Sequence, residues 1–142
     1  MKTTARNVLA VVAGVLAGSV VNMGLVELGP MIIPLPAGAD TSTAEGLKAS
    51  MDLFTPAHFV FPFLAHALGT LVGAFVAARL ATGSRMKFGL GIGVFYLLGG
   101  IAAVVMFGGP VWFMVLDLVG AYIPMGYLGG WAAERSTRTQ GS

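Results

Sequence analysis

The chain has no cysteine at all, and charged side chains make up only 10% of its 142 residues. The first absence excludes disulfides, thiolate zinc sites, iron–sulfur clusters and covalently attached haem. The second excludes an ordinary soluble domain, in which roughly a quarter of residues are charged. The net charge of +2 gives no reason to expect a nucleic-acid partner, because the positions of the basic residues account for them better. No phosphate-binding loop, HExxH helix, nucleophile motif or pair of catalytic carboxylates occurs, so nothing in the sequence supports an enzyme.

What is present is apolar. Hydrophobic residues make up 56% of the chain and glycine supplies 21 positions, a composition that fits a membrane protein. Four runs are long enough to cross ~30 Å of hydrocarbon: residues 7–28, 56–80, 86–107 and 110–131. They predict an all-α, integral membrane four-helix bundle forming one transmembrane domain over residues 1–142. The polar residues 132–142 are expected to be a frayed tail. Ala37-Gly38-Ala39 has the look of a signal-peptide cleavage site, but the first run exceeds the ~7–15 residues of such a segment and is expected to stay as a span.

The long connection, residues 29–55, divides in two. Pro30, Pro34 and Pro36 argue that its first part is irregular. In its second part Ser42 and Glu45 have capping-box spacing, and Ala44, Leu47, Met51 and Phe54 recur at helical spacing, so a short amphipathic helix on the membrane surface is expected. Orientation follows from charge: Lys2, Arg6, Arg79, Arg85, Lys87, Arg135 and Arg138 fall on one side of a four-span arrangement, and Lys48 falls on the other. By the positive-inside rule both termini are cytoplasmic and the loop over residues 29–55 faces outward. Trp112 and Phe113 near one end of the fourth run, with Tyr127 and Trp131 near the other, suit the headgroup regions.

Each run carries a face of small residues. Gly14 and Gly18 lie on the first, Gly69 and Gly73 on the second, Gly89 and Gly93 on the third, and Gly120 with Ala121 and Pro124 on the fourth. Such faces permit close helix approach, within the chain or against another copy. On the second run Pro62 is expected to interrupt the backbone bonds.

Few residues offer chemistry. Counting 1.5 Å per residue from the outward ends, Asn22 lies about 9 Å deep, Asp117 about 10 Å and His66 about 15 Å, so the three share the outer half of the bilayer. A carboxylate in hydrocarbon costs about 2.5 kcal/mol or more and needs a partner or water, which makes His66 the expected partner of Asp117. A short echo, HALG around His66 and DLVG around Asp117, puts each polar residue three places before a glycine. Such a pair serves as a polar clamp or as a proton relay. A lone histidine beside glycines also begins many haem and pigment sites, although His58, the second histidine, lies near the interface. No metal cluster is predicted: Glu27, Asp40, Glu45 and Asp52 read as surface charge.

The order of features, a basic start, PLPAGAD, LKASM, FLAHALGTLVGAFVAAR and a last span opening PVWF-x-VLDL, resembles small four-span bacterial inner-membrane proteins to which no activity is assigned. The resemblance implies a multi-pass protein of the bacterial inner membrane and supplies no substrate, cofactor or site. The function expected is that of a small membrane protein acting through helix packing, as a homo-oligomer or an accessory subunit in the lipid bilayer. The alternatives are a proton- or ion-coupled transporter centred on Asp117 and His66, and a pigment or haem subunit ligated by His66.

Overall fold

A computed structural model describes residues 2–138, the last in its backbone alone. The end of the expected polar tail, 139–142, lies outside the described residues. These form six α-helices and two 3₁₀ turns. Helix α1 covers Thr3–Ile32, α2 Ala44–Ser50, α3 Val60–Leu80, α4 Arg85–Phe107, α5 Val111–Gly120 and α6 Ile123–Arg138. Counting α5 and α6 as one broken span, four helical segments are long and apolar enough to cross a membrane.

Helix α1 does not stop at Gly29 as the prolines suggested. It continues through Pro30, and the Ile33 N–H still bonds the Gly29 carbonyl at 2.8 Å. Proline at this position removes one hydrogen bond near the end of the helix, and buried Gly29 is pressed against Phe61 of α3, so packing overrides the local preference. With 30 residues the helix is about 45 Å long.

The loop helix α2 is capped by Thr43, whose hydroxyl accepts from the Gly46 N–H at 2.9 Å, and not by the expected Ser42. Ser42 is occupied with Asp40: its hydroxyl and its N–H donate to Asp40 Oδ1 at 2.6 and 2.9 Å, which holds that carboxyl below its ordinary value. The Asp40 N–H in turn donates to Ser50 Oγ at 2.8 Å, closing the loop over α2. A 3₁₀ turn over Pro56–Phe59 leads into α3, and there His58 is fixed at both nitrogens. The Thr55 N–H donates to Nδ1 at 3.0 Å, and Nε2 donates to the Pro34 carbonyl at 3.0 Å.

Because the helix proper begins at Val60, Pro62 falls in its first turn, where an N–H has no helical partner, and it interrupts nothing. The fourth run is the larger departure. It is two helices, broken at Ala121 and Tyr122. Pro124 is the cause: it offers no N–H to the Gly120 carbonyl and its ring would strike that carbonyl in a continuous helix. Helix α6 then runs past residue 131 through the polar stretch that was expected to fray, with the Arg135 guanidinium 4.3 Å from the centre of the Trp131 ring.

Large apolar side chains point outward, with Val20 73% and Val105 78% exposed, while the interior is mostly alanine and glycine. This is the pattern of a bundle whose solvent is lipid. Four glycine pairs, each spaced by four, build it in two facing sets. Gly14 and Gly18 of α1 lie against Gly73 and Gly69 of α3, and Gly89 and Gly93 of α4 against Gly126 and Gly130 of α6. A Cβ added at Gly14 would sit 2.6 Å from the Gly73 carbonyl oxygen, and one at Gly89 would sit 2.6 Å from that of Gly126. Gly120, expected to belong to such a face, instead makes ordinary contact with the Phe63 ring at 3.7 Å. The fourth span makes its close approach one helix later than the pattern suggested.

Helix α3 is thereby central, touching α1, α4 and α6, whereas α1 and α4 scarcely meet. Tyr96 bridges that gap, its hydroxyl donating to the Val15 carbonyl at 2.7 Å. Toward the loop end the gap between α1 and α4 stays open. At the opposite end, Arg6 Nε donates to the Leu80 carbonyl at 2.9 Å and Asn7 Oδ1 accepts from the Thr82 N–H at 2.7 Å, tying the start of α1 to the turn after α3.

Candidate functional site

The helix break brings the chemistry together. Helix α3 presents His66 between buried Ala65 and Ala67, and α5 presents Asp117 one turn before its end. His66 Nδ1 lies 2.8 and 3.0 Å from the two oxygens of Asp117. The Tyr122 hydroxyl donates to Asp117 Oδ2 at 2.9 Å. With Asp117 as the carboxylate, both neighbours donate to it. The Asp117 residue is 3% exposed, so these bonds satisfy a charge that would otherwise be stranded in a low-dielectric interior. Tyr122 also stacks on the imidazole, ring centres 5.8 Å apart and planes inclined by 27°. From below, the Thr70 hydroxyl donates to the His66 carbonyl at 2.7 Å.

A proton on Nδ1 leaves Nε2 of a neutral His66 as a free base. Among the described residues it has no hydrogen-bond partner, and the side chain is 27% exposed. That exposure is into two open cavities. An outer cavity of about 430 Å³ runs from the loop down to His66 and Asp117, roofed by Leu47, Met51 and Phe54 beside α2. A smaller cavity of about 190 Å³ continues past His66 toward Asn22, Thr70 and Tyr96. His66, Gly100 and Ala103 line both, so the imidazole stands where the two adjoin. Beyond Tyr96 the glycine contacts close the bundle.

The sequence-predicted residues thus divide. His66 and Asp117 are joined directly. Asn22 faces the same inner cavity as His66, but no hydrogen bond links it to His66 or Asp117 among the described residues. Gly14, Gly18, Gly69, Gly73, Gly89 and Gly93 hold the helices that carry the site, and Gly120 does not. Tyr122 escaped sequence reasoning because five residues separate it from Asp117, a spacing that a continuous helix does not bring together. Pro124 was the signal for a break that turns this tyrosine back onto the carboxylate. No cluster of three or more metal-ligating side chains occurs among the described residues.

Comparison with family models, curated proteins and solved structures returns no match.

Proposed function

We propose that this is a proton-coupled carrier of the bacterial inner membrane, exchanging a small molecule held in the outer cavity against a proton held by His66 and Asp117. The observation that carries this is a histidine with one nitrogen fixed by a buried carboxylate and the other free at the junction of two cavities. A purely structural clamp has no need of a free base facing open space. The interrupted fourth span adds support, since broken helices at membrane depth are how many carriers build their sites, and backbone freed from a helix is tolerated there only beside protein or a cavity. Past the inner cavity, the close glycine contacts of α1 with α3 narrow the bundle, an asymmetry that one state of an alternating-access cycle would have.

The basic residues support a reading with both termini and the turn after α3 on the cytoplasmic side and α2 on the outer surface as a roof. The bacterial inner membrane comes from the sequence resemblance. The faces at Gly14, Gly18, Gly69, Gly73, Gly89 and Gly93 are engaged within the chain, so a homo-oligomer or accessory subunit would use other surface, such as the open glycines Gly24, Gly91 and Gly99.

The test is proteoliposomes containing a trapped pH indicator and holding a proton gradient, challenged with cationic, anionic and neutral amphiphiles. The wild type should move protons in response to at least one of these. Asp117→Asn, which keeps the shape and one acceptor oxygen but cannot carry the charge, should move protons with none while still folding, with a melting temperature in detergent above that of Asp117→Leu. Proton movement by Asp117→Asn at the wild-type rate, or none by the wild type with any compound, overturns the proposal.

A further inference from the structure

We infer that the outer cavity takes an organic cation with an apolar body, and that its binding expels the proton from His66. This rests on the carrier function proposed above and names its substrate class.

The cavity's charge is one-sided. Glu27 of α1 and Asp117 of α5 line it, and neither lysine nor arginine does. Its two histidines differ. His58 accepts a hydrogen bond at Nδ1 and donates one from Nε2, so both of its nitrogens are engaged. His66 alone has a nitrogen open to protonation. An anion would therefore meet two carboxylates, one of them buried Asp117, with at most one positive group to balance them. A cation finds the reverse.

The remaining lining suits the rest of such a molecule. Phe54, Phe59, Phe61, Phe107 and Phe113 surround the space, offering ring faces that attract a poorly hydrated cation and apolar area for its body. About 430 Å³ is within the ~300–1,000 Å³ usual for small-molecule sites. Helices α1 and α4 both line the cavity and scarcely meet each other.

Coupling follows from the geometry. Besides His66 itself, Asp117, Glu27 and His58 are the titratable groups of the outer cavity, and Tyr96 and Tyr122 those of the inner one. Only Asp117 and Glu27 supply charge, and both are negative, so a proton on Nε2 and a cation in the cavity compete for the same carboxylates. Binding one weakens the other by an equal factor. Cation affinity should thus fall as pH falls, by up to about tenfold per pH unit where one proton exchanges for one cation.

The experiment is calorimetric titration of the protein in nanodiscs with octyltrimethylammonium, octylsulfonate and octanol, in two buffers of different ionisation enthalpy, with empty nanodiscs subtracted. The ammonium should bind tightest and release close to one proton. Glu27→Gln should weaken it several-fold and leave octanol unchanged, and His66→Gln should abolish proton release while retaining binding. Tighter binding of the sulfonate, or ammonium binding without proton release, overturns the inference. If none of the three binds while the liposome assay still shows Asp117-dependent proton movement, the substrate class is wrong and the carrier stands. If the ammonium binds and releases a proton while liposomes show no Asp117 dependence, the site is a receptor and the carrier falls.

Discussion

Leucine at Asp117 would leave two donors, the His66 Nδ1–H and the Tyr122 hydroxyl, without an acceptor in a buried setting, and each stranded group costs about 1–3 kcal/mol. Asparagine retains a carbonyl oxygen and should be the milder change. A thermodynamic cycle of His66→Leu and Asp117→Leu, followed by unfolding in detergent, should show a coupling of about 0.6–1.7 kcal/mol, the range from average to strongest among membrane hydrogen bonds. Strict additivity of the two losses would mean that the pair does not form. The His66 and Asp117 partnership was legible in the sequence because depth can be counted along a helix and two polar groups at similar depth need each other. The tyrosine was not, since counting assumes the continuous helix that Pro124 prevents.

At the scale of the helices, some glycines meet backbone, some meet only side chains and some meet nothing. A Cβ at Gly69 or Gly73 would lie 2.9 or 2.8 Å from a carbonyl oxygen of α1, whereas at Gly24 and Gly91 nothing lies within 4 Å. Gly69→Leu and Gly73→Leu should each cost about 1–3 kcal/mol of stability in detergent. Gly24→Leu and Gly91→Leu should change it by less than about 0.5 kcal/mol or stabilise the helix, because leucine is the better helix former. Equal tolerance at all four positions would show that α1 and α3 are not in contact. Span positions could be read from hydrophobic length alone. The pairing of glycine faces could not, because spacing shows which residues share a stripe and not which stripe another helix chooses. That choice made Gly126 and Gly130, rather than Gly120, the contact of the fourth span.

For the molecule as a whole, composition and charge distribution were enough to read an all-helical chain with four helices fit to cross a membrane, since a lipid-facing surface leaves its mark on most residues. Sidedness can be checked directly. Glu45→Cys, on exposed α2, should react with a membrane-impermeant maleimide added to cells whose outer barrier has been made permeable, and Ser84→Cys, in the turn before α4, should not; the opposite pattern would invert the orientation. The cavities were illegible at this scale, because each is a gap between α1 and α4, and a gap is a property of no single segment.

The glycine contacts also bear on heredity. Gly14 and Gly73, Gly18 and Gly69, and Gly89 and Gly126 are reciprocal: in each pair, a Cβ on one member would run into the other's carbonyl oxygen at between 2.5 and 2.9 Å. A clash between side chains can be relieved by a smaller residue opposite, but here the obstacle is an atom that every amino acid carries, and its owner is already the smallest. No second-site suppressor can therefore arise within a pair. A lineage that loses one of these glycines recovers by true reversion or by moving a whole helix.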